Sequence, residues 1–190
     1  MLTSQYLGGA AVFQQHAVYV KFNSVVNLPD GPHLAAFSEE MIQLVESKRA
    51  KKLIIDVRDN GGGNGDMLTP LIRRISENAR VNRPGHLFVI SGRATFSAAL
   101  MFTARMEKKT NAIFAGEPGG GKPNSYSERT NFTLPITGMH GSISSRYHEE
   151  GGPGDTREFI PVSIPVPPTA SDFFGKRDSV VAVVLAYKAK

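Results

Sequence analysis

Leu53-Ile54-Ile55-Asp56-Val57-Arg58-Asp59-Asn60-Gly61-Gly62-Gly63-Asn64-Gly65 is the stretch on which the fold turns. Its first five residues form a short, nearly continuous apolar run. A run without polar alternation suits a strand buried on both faces, as in a parallel sheet. The glycines end it abruptly. Downstream, Leu68, Leu71, Ile72 and Ile75 recur at helical spacing; upstream, Leu34, Phe37, Met41, Leu44 and Val45 do the same and predict a helix from about 34 to 49. Val18–Phe22 reads as a strand, Leu87–Ile90 as another buried strand, and the Ala- and Met-rich Ser97–Met106 as a closely packed helix. Ala112–Ala115 is the next strand and runs into Gly119-Gly120-Gly121. Strands alternating with helices imply right-handed βαβ units and a layered α/β fold with a mainly parallel central sheet.

From about 126 the character changes. Asn131–Leu134 and Ser142–Tyr147 are short alternating segments around the turn Thr137-Gly138-Met139-His140-Gly141, predicting a β-hairpin extension. Glu149–Asp155 reads as a loop, Ile160–Pro168 as an extended proline-rich segment and Ser179–Tyr187 as a closing helix whose valines would also suit a strand. Asn27–Pro32 is a turn cluster. The expected organisation is a lead-in over 1–17 and one core over 18–188, with the hairpin and its loop spanning 128–168.

Composition narrows the function. The 190 residues are 41% hydrophobic and 21% charged, ordinary for a globular domain, and no apolar run is long enough for a membrane helix. The chain has no cysteine, which removes disulfides, thiolate metal sites and a cysteine nucleophile. The net charge of +5 is a mild excess. Its basic residues, including Lys48-Arg49, Lys51-Lys52 and Lys108-Lys109, read as solvated helix ends rather than a nucleic-acid stripe. No signal peptide is visible, and neither metal nor organic cofactor is expected.

In an open α/β sheet, ligands gather beyond the carboxyl ends of the strands. Three strands end in unusual sequence: Asp56–Gly63, Ser91–Ala99 and Gly116–Asn124. Glycines before a helix let backbone N–H groups converge on an anion or oxyanion, or simply make tight turns. Gly116-x-x-x-x-Gly121-Lys122 matches a phosphate loop until Pro123 breaks it, and no helix follows. Ser97 opens a helix, where a hydroxyl either caps the helix or acts as a nucleophile. A nucleophile needs a base, and His16, His33, His86, His140 and His148 all lie in surface or hairpin contexts. Lys122 is the other option, either an exposed loop lysine or a base once burial has stripped its proton.

Taken together, Leu53–Gly63, Thr95-Phe96-Ser97-Ala98-Ala99 and Phe114–Lys122 resemble the catalytic core of the carboxy-terminal-processing (tail-specific) serine proteases. The resemblance runs over about 18–188, and Ser97 and Lys122 stand 25 residues apart (122 − 97), the family's usual spacing. It implies a ClpP/crotonase-like fold with the hairpin as a C-terminal extension, and a serine endopeptidase acting on protein or peptide substrates through an acyl-enzyme. Ser97 would be the nucleophile and Lys122 the general base. The N–H of Ala98 with that of Gly62 or Gly63 would form the oxyanion hole, and Asp56, Arg58, Asn60 and Glu117 would orient the loops. Ala99-Leu100, Lys108 and Tyr126 replace residues common in the family and point to a divergent branch. The family's upstream recognition or PDZ-type region has no counterpart in the few residues before the first strand. A homo-oligomer is compatible with the resemblance, which also implies a bacterial envelope or secreted setting. The alternatives are a non-catalytic peptide- or ligand-binding module on the same fold, and an acyl-CoA hydrolase or isomerase.

Overall fold

The computed structural model describes residues 11–14, 16–27 and 33–188; most of the predicted 27–32 turn cluster lies outside them. Its centre is a six-stranded sheet of β1 (Ala11–Gln14), β2 (Ala17–Lys21), β3 (Lys52–Asp56), β4 (Leu87–Ser91), β5 (Ile113–Gly116) and β8 (Ile164–Pro165), in that spatial order. β2, β3, β4, β5 and β8 run parallel, and β1 pairs antiparallel with β2. β6 (Asn124–Thr133) and β7 (His140–Glu149) form a separate antiparallel hairpin between β5 and β8. The mainly parallel α/β architecture with an added hairpin is therefore as expected. The hairpin strands are ten residues each, longer than the alternating segments had suggested. β1 falls within the stretch read as a lead-in.

The continuous apolar runs are explained by burial on both faces. Leu53, Ile55, Val57, Leu87 and Val89 face one core with α1 (Leu34–Ser47), α2 (Leu68–Glu77) and α3 (Ala98–Lys109). The intervening Ile54, Phe88 and Ile90 face a second core closed by α5 (Ser179–Ala186). A short helix, α4 (Ala170–Phe174), precedes α5 and has no apolar periodicity long enough to announce it.

β3 holds α5 at both ends. Lys52 does not cap a helix of its own neighbourhood as a solvated cation. It starts β3 and donates hydrogen bonds to the carbonyls of Val184, Leu185 and Tyr187 at 2.7–2.9 Å, satisfying the open end of α5. Its ammonium also lies over the Phe88 ring. At the other end Asp178 caps α5 by accepting from Val181 N–H, while Arg58 reaches from beyond β3 to grip the same carboxylate. Charge-assisted bonds of this kind are worth about 1.5–3 kcal/mol. Lys52→Met is accordingly expected to lower stability by about 2 kcal/mol, read as a shift in the urea midpoint.

Candidate active site

Three loops leave the carboxyl edge of the sheet: 57–64 after β3, 92–97 after β4 and 117–123 after β5. They are tied together by hydrogen bonds. Phe96 N–H donates to the Asn60 carbonyl and Gly120 N–H to the Thr95 carbonyl. Thr95, fully buried, donates its hydroxyl to the Val57 carbonyl and accepts from Gly92 N–H. The sequence motifs did not single out Thr95, yet its one hydroxyl holds the second loop against the first. Ser91 Oγ donates to the Glu117 carbonyl, and Glu117 pairs with Arg93 at 2.8 Å, joining the second loop to the third.

At the meeting point stands Ser97, the residue before α3. Its backbone is at φ 54°, ψ −124°, and its hydroxyl does not cap the helix. A non-glycine residue in this region stores strain of about 1–3 kcal/mol and persists only where its surroundings dictate it. The surroundings here are Gly62: a Cβ on Gly62 would lie 2.6 Å from Ser97 Cβ and 3.0 Å from Ala98 N. Ala98 is the first residue of α3, so its N–H has no acceptor within the helix.

The other loop residues take definite partners. Asn60 is buried; its side chain donates to the Phe22 carbonyl and accepts from Gly62 N–H. That bond commits the Gly62 donor. Gly63 forms a parallel bridge with Val25 in which the Gly62 carbonyl and Asn64 N–H make the bonds, so Gly63's own N–H is turned away from Val25. Asp56 is completely buried and accepts from the Tyr19 hydroxyl at 2.6 Å and from Arg58 N–H, Nε and Nη2. Burial, reinforced by the Asp56 carboxylate, pushes the Tyr19 phenol well above its ordinary value, so it remains a donor at neutral pH. Burial works against the Arg58 charge, but its hydrogen bonds to Asp56 and Asp178 outweigh that and raise it.

Asp178 feels the same balance in reverse. Burial favours its neutral form, while hydrogen bonds from Arg58 and Val181 N–H prevail and hold its carboxyl below the usual carboxylate range. A depressed folded pKa gives stability that is full above the unfolded value of about 3.9 and is lost as pH falls through the folded value. Asp178→Asn should flatten this acid limb in urea midpoints taken below about pH 4 and lower stability at neutral pH.

Lys122 stands apart from Ser97 in this arrangement. Its side chain is 52% exposed, and its ammonium is paired with Glu158 at 2.8 Å. Among the described residues no hydrogen bond joins it to Ser97. The backbone that carries it is nonetheless close, since Cβ atoms on Gly119 and Gly121 would meet the Leu100 side chain in the first turn of α3.

This geometry can be set beside known proteins. No protein-family model matches the chain, and no curated protein does. Solved structures do match. A candidate peptidase from Parabacteroides merdae is 20% identical with a TM-score of 0.72, over 97% of this chain and 66% of the other. The photosystem II D1 C-terminal processing protease is 17% identical with a TM-score of 0.60, over 90% of this chain and 47% of the other. The fold is that of the C-terminal processing proteases. A candidate protease from Bacteroides fragilis has the same fold at 12% identity and a TM-score of 0.62, covering 93% of this chain and 56% of the other. The chain thus spans about half to two thirds of these longer proteins. Within the processing-protease fold, the three loops motif-matched in the sequence are the ones assembled around Ser97.

Proposed function

We propose that this chain is the catalytic core of a serine-type endopeptidase in which Ser97 is the nucleophile and Lys122 the general base. The observation that carries the reading is the strained backbone of Ser97 at a strand-to-helix turn, pressed by Gly62 and flanked by the Ala98 N–H, which has no acceptor within α3. Ser97 Oγ attacks the peptide carbonyl carbon as its proton passes to neutral Lys122. The carbonyl oxygen becomes an oxyanion held by the Ala98 and Gly63 N–H groups, each worth about 3–4 kcal/mol in such a site. Lys122 returns the proton to the leaving amine as the C–N bond breaks. Water, deprotonated by Lys122, then attacks the acyl carbon, and Lys122 hands that proton to Ser97 Oγ as the ester bond breaks. Asp56, Arg58 and Asn60 position the glycine loop, and Glu117 positions the third loop.

The reading requires Lys122 to leave Glu158. An exposed ion pair contributes only about 0–1 kcal/mol, less than a single oxyanion donor. A substrate lying over the loops would also desolvate the amine, which favours its neutral form. A fluorophosphonate probe is expected to label the protein at Ser97. Labelling should vanish in Ser97→Ala and slow by at least about 10²-fold in Lys122→Met, the size of a lost general base. Labelling that survives Ser97→Ala would overturn the assignment, and an unchanged rate in Lys122→Met would remove the base.

The Lys122–Glu158 pair favours a second reading, a peptide-binding module without turnover. It predicts peptide affinity unchanged by Lys122→Met and no hydrolysis by the full-length protein.

A further inference from the structure

The β6–β7 hairpin has two unlike faces. Its register pairs Tyr126 with Tyr147, Thr130 with Ile143 and Phe132 with Gly141. These residues share a face, continued toward the turn by Leu134 and Met139, and Phe132 lies directly over Gly141. The Tyr126 and Tyr147 rings touch at 4.9 Å between centroids. The opposite face bears Ser125, Arg129, Asn131, His140, Ser144 and Arg146. Two acidic residues fall within the first face: Glu149 lies opposite Asn124 at the base, and Glu128, at φ 56°, has its carboxylate 3.6 Å from His148, which pairs with Ser125 on the other face. The apolar residues between and beyond them are open to solvent: Ile143 is 63% exposed, and Ile136 at the tip 95%.

The size of this surface matters. With the exposures of Tyr126, Phe132, Leu134, Ile136, Met139, Ile143 and Tyr147, and about 200 Å² per large side chain, the stripe offers roughly 800 Å². The largest apolar patch of an ordinary monomer is about 300–600 Å², whereas one side of a stable protein interface is about 800 Å². A two-stranded ribbon is also marginal in water unless something packs on it. The hairpin is held at its base, where Asn124 bonds Gly151 N–H and the Gly152 carbonyl and Arg105 pairs with Glu150, but its apolar face is left uncovered.

We infer that this face packs against the same face of a second copy of the chain. The charge distribution selects that arrangement. Joining the polar faces would set Arg129 and Arg146 against their own counterparts, while joining the apolar faces turns all four arginines to water. The layout is self-complementary as well. Thr130 and Ile143 stand midway between the tyrosine pair at the base and Leu134 and Met139 at the tip. A two-fold axis through that midpoint lays the tyrosines of each copy over the tip of the other, the isologous contact expected of a symmetric dimer.

The test is sedimentation equilibrium of the whole chain over a micromolar range. The wild type is expected at twice the monomer mass, Ile143→Asp at the monomer mass, and Arg146→Ser unchanged from wild type. Circular dichroism shows whether Ile143→Asp keeps its fold, and a second variant does not depend on a disruptive substitution. The chain has no cysteine, so Ile143→Cys offers one thiol near the axis and is expected to form a covalent dimer under mild oxidation. Arg146→Cys, on the other face, is not. A monomeric wild type overturns the proposal, as does a dimer that ignores Ile143→Asp and leaves Ile143→Cys uncrosslinked. A monomer that instead co-sediments with lipid vesicles would assign the face to a membrane surface and equally overturn it.

Discussion

Ser97→Gly is expected to raise the melting temperature while abolishing peptide hydrolysis and fluorophosphonate labelling. The two effects have separate origins. Ser97 sits at φ 54°, ψ −124°, where a Cβ is strained and glycine is not. Relieving that strain should stabilise by about 1 kcal/mol, offset in part by the greater chain entropy of glycine in the unfolded state. Removing the hydroxyl costs α3 no cap bond, because it makes none. The reaction loses its nucleophile, which in comparable serine enzymes costs about 10⁶-fold. Ser97→Ala should lose activity equally but gain no stability, because alanine keeps the Cβ. A serine with only a structural role would leave activity intact in both variants, whatever their stability. Measuring melting temperature and labelling on the same three proteins therefore tests strain and chemistry together. Were Ser97→Gly no more stable than Ser97→Ala, the strain argument would fail even if activity were lost.

The parts of this structure that were legible in advance are those where one residue type answers one local need. The short apolar runs at Leu53–Val57 and Leu87–Ile90 suited strands covered on both faces, and the strands Lys52–Asp56 and Leu87–Ser91 are so covered. Helical spacing located α1, α2 and α3 to within a few residues at most ends. What could not be read was set by partners far along the chain. Lys52 looks like one of several surface cations until α5 arrives more than a hundred residues later and leaves its last carbonyls against it. Arg58 joins Asp56, two residues away, to Asp178, 120 residues away, and only the first pairing has a local signature. β8 is two residues within a proline-rich stretch, made a strand by the free edge of β5. The three loops around Ser97 were legible as motifs, and their convergence follows from parallel strands. The pairing of Lys122 with Glu158 was not, because the partner lies in a loop after the hairpin, where sequence imposes no register.

The second large effect separates three glycines that look alike in sequence. At Gly61 an added Cβ would meet nothing within 4 Å, so Gly61→Ala should leave both stability and labelling within error. At Gly63, with φ 137°, the Cβ would overlap the Val25 carbonyl oxygen and lie 2.6 Å from its carbon. Both obstacles are backbone, and Val25 is fully buried and bonded to Gly62 and Asn64 on either side. Neither strand nor loop can yield without breaking those bonds, so Gly63→Ala is expected to cost more than about 3 kcal/mol, among the largest effects a single substitution has. At Gly62, with φ 111°, the Cβ would instead strike Ser97 Cβ and the Ala98 N–H. Backbone strain there costs about 1–3 kcal/mol, but the nucleophile and an oxyanion donor are what must move, and displacements near 1 Å can cost about 10²-fold in rate. The expected order in urea midpoint is therefore Gly61→Ala, then Gly62→Ala, then Gly63→Ala. Labelling per folded molecule should already have collapsed at Gly62→Ala. If Gly62→Ala kept the wild-type labelling rate, the contact between this loop and Ser97 would have no part in the chemistry, and the loop would be left with its structural role alone.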